Sequence, residues 1–334
     1  MRLENIIALT NGKIVNSPFV NKFLNISFNS KSIRRGDLFI AFENQDIDEA
    51  IINGAYGILF SKPTQITDSE IAWIKVENVE EALKRLIRFQ LIDKNISVYE
   101  TNEIILKLAL QVITEPSFVV ISGDIKDISN TLLQIDNNST ILFCPTLTDK
   151  NLFTKINKIS INTTNKIDII EQTLFETSFI YDNIFYERQL ISPFFMPYLE
   201  ILLHFFKTKN INYRLKKFTL IDHFEPIFIN NKLEIKEFGT SEMVLIFENE
   251  FSLVEKEISF LENEATWAKK IYIIPKSINI KLDIKNIFIY NDDYDVIKIL
   301  KENKFHFALI IGVSKSILLQ NQTKKSEISL FTLE

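Results

Sequence analysis

The sequence predicts an α/β protein in three parts, on three observations. Short β-branched strands alternate with amphipathic helices along the chain. In the last third the alternation is regular enough for a mostly parallel, doubly wound sheet with helices on its faces. Between the two ends, Phe118–Leu133 reads as strand, tight turn and helix. Val119, Val120 and Ile121 form a buried strand, Gly123 breaks it, and Ile128, Leu132 and Leu133 begin a helical face.

From the amino end, Leu24–Phe28 alternates as a half-buried strand, and Leu38–Phe42 forms a second one after a turn at Arg34–Asp37. Asp46 is placed to cap a short helix through Ile51 and Ile52 that Gly54 ends. Strands at Tyr56–Phe60 and Ile71–Val76 precede a helix over Glu80–Ile92, whose Leu83, Leu86, Ile87 and Leu91 share one face. A helix over Tyr99–Ile113 leads into the Phe118 segment. Then come a strand at Thr140–Phe143, a short helix at Lys150–Ile156, a strand at Lys158–Ile161, and a strand from Ile184 to Ile191. Pro197–Phe206 is helical, and its His204, spaced with Ile201 and Phe205, reads as an interface histidine. Pro226–Leu233 reads as a hairpin turning at Asn230-Asn231. Strands at Met243–Phe247, Ile271–Ile274, Ile287–Tyr290 and Phe307–Ile311 then alternate with helices over Ser252–Ala268 and from Asp292. Asp292-Asp293-Tyr294-Asp295 and Glu248-Asn249-Glu250 both read as acidic helix starts favoured by the helix dipole.

With 334 residues and 46% hydrophobic content, the chain can form two or three well-cored domains. Its net charge of -5 offers no basic field for nucleic acid or an anionic membrane surface. Phe is used 28 times against 7 Gly and 8 Pro, a bias that lowers the weight of any single aromatic. Cys144 is alone, so an internal disulfide is excluded, and it reads as a small core residue. The apolar stretch Ile191–Phe206 is interrupted by Pro193, Pro197, Glu200 and His204, and it falls short of the roughly 20 residues a spanning helix needs. With no secretory pattern at Met1–Asn5, a soluble cytoplasmic protein without a membrane span is expected.

Strand, turn and helix is also the architecture of a phosphate-binding loop, whose backbone N–H groups and helix N-terminus attract anions. Here the chemistry is missing. Ser122 and Gly123 fit its first positions, and Asp124 is next in the chain. Lys126 then stands where the second glycine belongs, Asp127 where the lysine belongs, and Ile128 where the metal-holding hydroxyl belongs.

Asn29-Ser30-Lys31-Ser32-Ile33-Arg34-Arg35-Gly36-Asp37-Leu38-Phe39-Ile40-Ala41 resembles the first-domain signature of the Mur ligases. These are ATP-dependent amide ligases that build the peptide stem of peptidoglycan. The likeness is greatest to the branch that adds D-alanyl-D-alanine to UDP-N-acetylmuramoyl-tripeptide. That signature reads Asp-Ser-Arg, a few residues, then Gly-Asp-Leu-Phe-x-Ala. In the family it precedes a helix ending in Gly-Ala, a strand, and a helix carrying Ala-Leu. Asn53-Gly54-Ala55, Ile58-Leu59-Phe60 and Glu81-Ala82-Leu83 reproduce that order.

The resemblance implies a three-domain Mur ligase-like arrangement. A UDP-sugar-binding-like domain would span 1–95, a truncated central P-loop-type domain 96–222, and a Rossmann-like domain 223–334. It also implies candidate UDP-sugar contacts at Asn29, Ser30 and Lys31, which equally suit a plain turn after a strand. The exchange of Asp-Ser-Arg for Asn29-Ser30-Lys31 loses a carboxylate and a forked guanidinium. Family members carry Thr-Gly-x-x-Gly-Lys-Thr at the Ser122-Gly123-Asp124 loop, a metal-binding glutamate and histidine, and a carbamylated lysine beyond it. All three histidines here, His204, His223 and His306, come late in the chain. The family's terminal Lys-Gly-Ser-Arg turn is matched by Gly312, Ser314 and Lys315, where Lys315 either mimics the arginine or is a solvated turn residue.

An aspartate in place of the phosphate-binding lysine turns attraction into repulsion. Each charge pair at about 4 Å contributes about 1 kcal/mol in water and about 4 kcal/mol at an effective dielectric of 20. Productive ATP and magnesium binding is therefore not expected, and no cofactor is expected. The residues leave three readings open. The first is an inactive member that binds a UDP-muramoyl precursor or a cell-wall synthesis protein. The second is an enzyme of altered chemistry using Ser122, Lys126 or Asp127. The third is a structural adaptor.

Overall fold

The structure is a computed structural model that describes residues 1–161, 167–278, 280–282 and 284–318. The chain divides into two compact units, one of residues 1–161 with 205–214 and one of 162–204 with 215–334.

The first unit holds two sheets. Strands β1 (Lys13–Ile14), β2 (Ile26–Ser27), β3 (Leu38–Ile40), β4 (Gly57–Phe60) and β5 (Ala72–Lys75) form the first, in the order β1-β5-β4-β3-β2. All its neighbours are parallel except β1. Its central strands are buried on both faces, so they read as unbroken apolar runs, yet the pleat still sorts their side chains. Leu38, Ile40, Leu59 and Ile74 join the core built with α1 (Leu3–Thr10) and α3 (Val79–Ile92). Phe39, Ile58 and Trp73 face Ile47 and Ala50 of α2 (Ile47–Ile52). Asn78 caps α3 by accepting the Glu81 N–H at 3.0 Å. Asp46, read as the cap of α2, makes no side-chain capping bond, because a 3-10 turn over Asn44–Asp46 runs straight into that helix.

The second sheet is all parallel, in the order β7-β8-β6-β9, from β6 (Ser97–Glu100), β7 (Phe118–Ile121), β8 (Thr140–Phe143) and β9 (Asn157–Lys158). The helix expected over Tyr99–Ile113 is shorter. Val98 and Tyr99 are buried in β6, and Asn102 then caps α4 (Glu103–Val112) by accepting the Ile105 N–H at 2.9 Å. Pairing with β8, and of Tyr99 with β9, takes the start of that apolar run into the sheet. Helix α5 (Ile125–Gln134) packs on α3, so Leu86 and Ile128 share one core. The expected helix at Lys150–Ile156 is a 3-10 turn over Lys150–Leu152, and the expected strand at Leu24–Phe28 shrinks to β2.

In the second unit, β10 (Asp168–Gln172), β11 (Thr177–Tyr181) and β12 (Ile184–Gln189) form an antiparallel sheet. Its β11–β12 hairpin turns on Asp182 and Asn183, both at positive φ, as a two-residue primed turn requires. Helix α6 (Met196–Lys209) comes next, contributing its last residues to the first unit, where Phe205 and Phe206 pack on Phe118. The last sheet has the order β13-β14-β17-β15-β16, from β13 (Glu225–Ile229), β14 (Met243–Glu248), β15 (Lys270–Pro275), β16 (Ile287–Tyr290) and β17 (Phe307–Ile311). Only the edge strand β13 is antiparallel. The hairpin expected at Pro226–Leu233 is reduced to one bridge, Ile229 to Ile235, and β13 takes β14 as its ladder partner. Helices α7 (Val254–Glu264) and α8 (Asp293–Glu302) complete this unit, and Asp292 caps α8 as expected. Among the described residues, no helix is long and apolar enough to cross a membrane.

Candidate functional site

The loop between β7 and α5 keeps the backbone outline of an anion site and fills it from within. Gly123 sits at φ +119, a region an L side chain rarely adopts, and a Cβ there would meet Asp127 Oδ2 at 2.6 Å. The Asp124 carboxylate accepts the backbone N–H groups of Lys126 at 2.8 Å and Asp127 at 3.1 Å. Asp127 returns the bond, its carboxylate accepting the Asp124 N–H at 3.3 Å. This capping box consumes the helix-start amides that would otherwise cradle a phosphate. An incoming anion must displace two carboxylates that repel it. Ile128, in the place of a metal-holding hydroxyl, is buried in the core. Two carboxylates and a buried isoleucine thus stand where the resemblance puts a lysine and a metal-holding hydroxyl. Ser122 is exposed beside it, and Thr148 donates its hydroxyl to the Gly123 carbonyl at 3.3 Å.

Lys126 is turned to another use. Its Nζ lies 4.5 Å from the centre of the Phe42 ring, a cation–π distance, and Phe28 meets the same ring edge-on at 6.1 Å. Phe42 thus joins the α5 start to the strand that precedes Asn29. Nearby, Glu43 is held below the usual carboxylate range, first by its hydrogen bond with Lys62 and last by the more distant charge of Lys126.

Asn29 and Ser30 serve the turn itself. The Asn29 carboxamide accepts the Lys31 N–H at 3.1 Å and so starts a 3-10 turn over Ser30–Ser32. Ser30 is buried, donates its hydroxyl to Glu49 Oε2 at 2.5 Å, and accepts from Asn53 Nδ2 at 3.0 Å through its carbonyl. Asn29 and Lys31 are exposed to solvent, but the Asn29 carboxamide is engaged in the turn.

At the carboxyl end of the last sheet, Gly312 adopts φ +77 and donates its N–H to the Glu248 carbonyl at 2.8 Å. A Cβ there would crowd the Tyr290 hydroxyl at 3.2 Å. Ser314 hydrogen-bonds Ser316 at 2.8 Å, and Lys315 pairs with Glu225 at 2.6 Å. The loop and the Asn29 turn belong to the first unit and this turn to the second.

Sequence reasoning missed a buried acid cluster at the same carboxyl edge. Glu248, which the sequence presents as a helix-start acid, is the last residue of β14 and fully buried, with His223 Nδ1 at 2.9 and 3.2 Å from its two oxygens. It also accepts the N–H groups of Phe224 at 3.1 Å and Glu250 at 2.6 Å. Burial pushes its carboxyl up, but the His223 bond, with the Glu250 N–H, outweighs that and holds it below the usual value. Glu257 of α7 is buried beside it and raised well above the usual range, first by burial and then by the Glu248 charge. Burial and the neighbouring charge thus favour the neutral form of Glu257, while hydrogen bonding favours the ionised form of Glu248. The nearby Tyr198 phenol is raised too, by burial and then by Glu257. Two glutamates separated by nine residues, one on a strand and one on a helix, left no sequence signal. Among the described residues, no group of three or more His, Cys, Asp or Glu side chains is placed to hold a metal ion.

No protein-family model matches the chain. Over 70 residues it is 39% identical to the UDP-N-acetylmuramoyl-tripeptide–D-alanyl-D-alanine ligase of Rickettsia prowazekii (strain Madrid E). That match spans 20% of this chain and 15% of the relative. Among solved structures, a MurF of Acinetobacter baumannii aligns over 97% of this chain and 98% of its own, at 10% identity and TM-score 0.53. The MurF ligase of Thermotoga maritima in complex with ADP aligns over 93% and 98%, at 12% identity and TM-score 0.50. The fold is that of the Mur ligases. At these identities the structures speak to fold alone, while the shorter curated match carries the Mur ligase resemblance into the sequence. Within that Mur ligase fold, the capped α5 start occupies the strand–turn–helix position singled out in the sequence.

Proposed function

We propose that this chain is a catalytically inactive, Mur ligase-like protein that acts by binding in or near peptidoglycan precursor synthesis. Its ligand on this reading is a UDP-muramoyl precursor or a protein of cell-wall synthesis, met in the cytoplasm. The three-part division at 1–95, 96–222 and 223–334 goes with it, the first part holding the precursor. The observation that supports inactivity is the reciprocal Asp124–Asp127 cap, which places two carboxylates where a nucleotide's phosphates would need amides and a lysine.

Calorimetric titration with magnesium-ATP and, separately, with UDP-N-acetylmuramoyl-tripeptide tests the proposal. The expected result is no saturable heat with the nucleotide and saturable binding of the precursor that Lys31→Ala weakens. Tight magnesium-ATP binding, or turnover with D-alanyl-D-alanine, would overturn the inactive reading.

A further inference from the structure

The second unit contains a cavity of about 600 Å³, within the roughly 300–1,000 Å³ of small-molecule sites, at the edge of the last sheet where its parallel strands begin. Val244 of β14 and Phe307 of β17 line it at their amino ends. Ligands of open α/β sheets sit outside the carboxyl ends, so this cavity is separate from the turn at Gly312.

One wall is a run of touching rings. Phe238 meets Phe228 at 4.9 Å, Phe228 meets Phe175 at 6.1 Å, and Phe175 meets Phe307 at 6.2 Å. Phe307 continues to Trp267 at 6.0 Å, and Trp267 to His306 at 5.4 Å. Trp267 is 72% exposed, unusual for the largest apolar side chain. The lining also includes Glu176, Glu242 and Glu264 and no lysine or arginine. Glu264 accepts from Gln172 at 3.0 Å, and Glu176 meets the exposed Arg188 only at 3.6 Å. Glu242 has no ion-pair partner among the described residues.

Aromatic faces carry negative potential and attract cations, and carboxylates at the rim add to that field. We propose that this cavity binds an organic cation, a primary ammonium or guanidinium group on an apolar stem. The stem lies along the rings, and the head stands over Trp267 against Glu242 and Glu264. A free amine and a Lys or Arg side chain of a polypeptide share this chemistry.

Calorimetry on the full chain, with Trp267 emission as a second readout beside the buried Trp73, compares three probes. These are agmatine, acetyl-Gly-Arg-Gly-amide, and the same peptide with citrulline in place of arginine. We expect saturable binding of agmatine, the arginine peptide or both, with a Kd at or below about 1 mM. Saturation by the peptide alone marks a polypeptide source, and saturation by agmatine alone a free amine. Replacing arginine by citrulline, or Trp267→Ala, should weaken binding at least about tenfold, and Glu242→Gln several-fold. Trp267 and Glu242 are both exposed, so circular dichroism should show both variants folded. Equal binding of the citrulline peptide, binding unchanged in both variants, or no saturation by either cation would overturn the proposal.

Discussion

Asp124 and Asp127 cap each other across the first turn of α5, each carboxylate accepting the other's backbone N–H, at 3.1 and 3.3 Å. The arrangement stabilises the helix with the groups that an anion site would leave open. Asp124→Ala should therefore cost about 1 kcal/mol of stability, and Asp124→Ser much less, since serine caps comparably. Urea denaturation of the variants checks this. Neither change should create magnesium-ATP binding, because Asp127 and the buried Ile128 remain.

Ser30 and Lys31 are adjacent and should respond oppositely. Ser30→Ala removes a buried hydroxyl's bond to Glu49 and should destabilise the first unit by about 1 kcal/mol. Lys31→Ala should leave the unfolding midpoint within about 0.5 kcal/mol of wild type, as expected for an exposed side chain. If Lys31 contacts a UDP-sugar, only the second variant loses precursor affinity while keeping stability. Paired denaturation and titration curves separate the two effects.

Much of the fold was legible because the buried parallel strands, such as Leu38–Ile40 and Phe307–Ile311, are unbroken apolar runs between helices of clear spacing. Where the period was ambiguous the outcome depended on tertiary pairing. Tyr99 adjoins the helical run without a break in apolar character, and pairing of Val98 and Tyr99 with β8 makes them a strand. At the candidate site, the absence of the lysine and hydroxyl was readable residue by residue. That Asp124 and Asp127 would cap each other required the backbone. The Glu248–Glu257 pair and the ring wall around Trp267 were illegible for another reason: each assembles residues distant in sequence, and a chain with 28 phenylalanines hides any particular group of them.

Gly123 offers a backbone test of the same loop. Its φ of +119 lies outside what a non-glycine residue adopts without strain, and a Cβ would press on the Asp127 carboxylate. Gly123→Ala should destabilise by about 1–3 kcal/mol. Combining it with Asp127→Ala should recover the part due to the clash and not the part due to φ. A double-mutant cycle by denaturation reads the difference.

The buried acids predict an unusual dependence of stability on pH. In the unfolded chain Glu257 ionises near 4.5, while in the folded protein its carboxyl is raised well above that by burial and by the Glu248 charge. Below 4.5 both states are protonated and the contribution of Glu257 is fully present. As pH rises, the unfolded chain loses the proton first, so stability falls by up to about 1.4 kcal/mol per pH unit until the folded carboxyl titrates. Glu248 runs the other way: its carboxyl is depressed, so its contribution is present above the usual value and is lost as pH falls through the folded one. Above about pH 5, then, the slope from this pair belongs to Glu257. Glu257→Gln keeps the side-chain shape and removes the titration. Its stability relative to wild type should rise from about pH 5 until the folded Glu257 carboxyl titrates, read by urea denaturation. The Tyr198 phenol, raised above its ordinary value, stays protonated across this range. Parallel curves would mean that the Glu257 carboxyl ionises alike in both states.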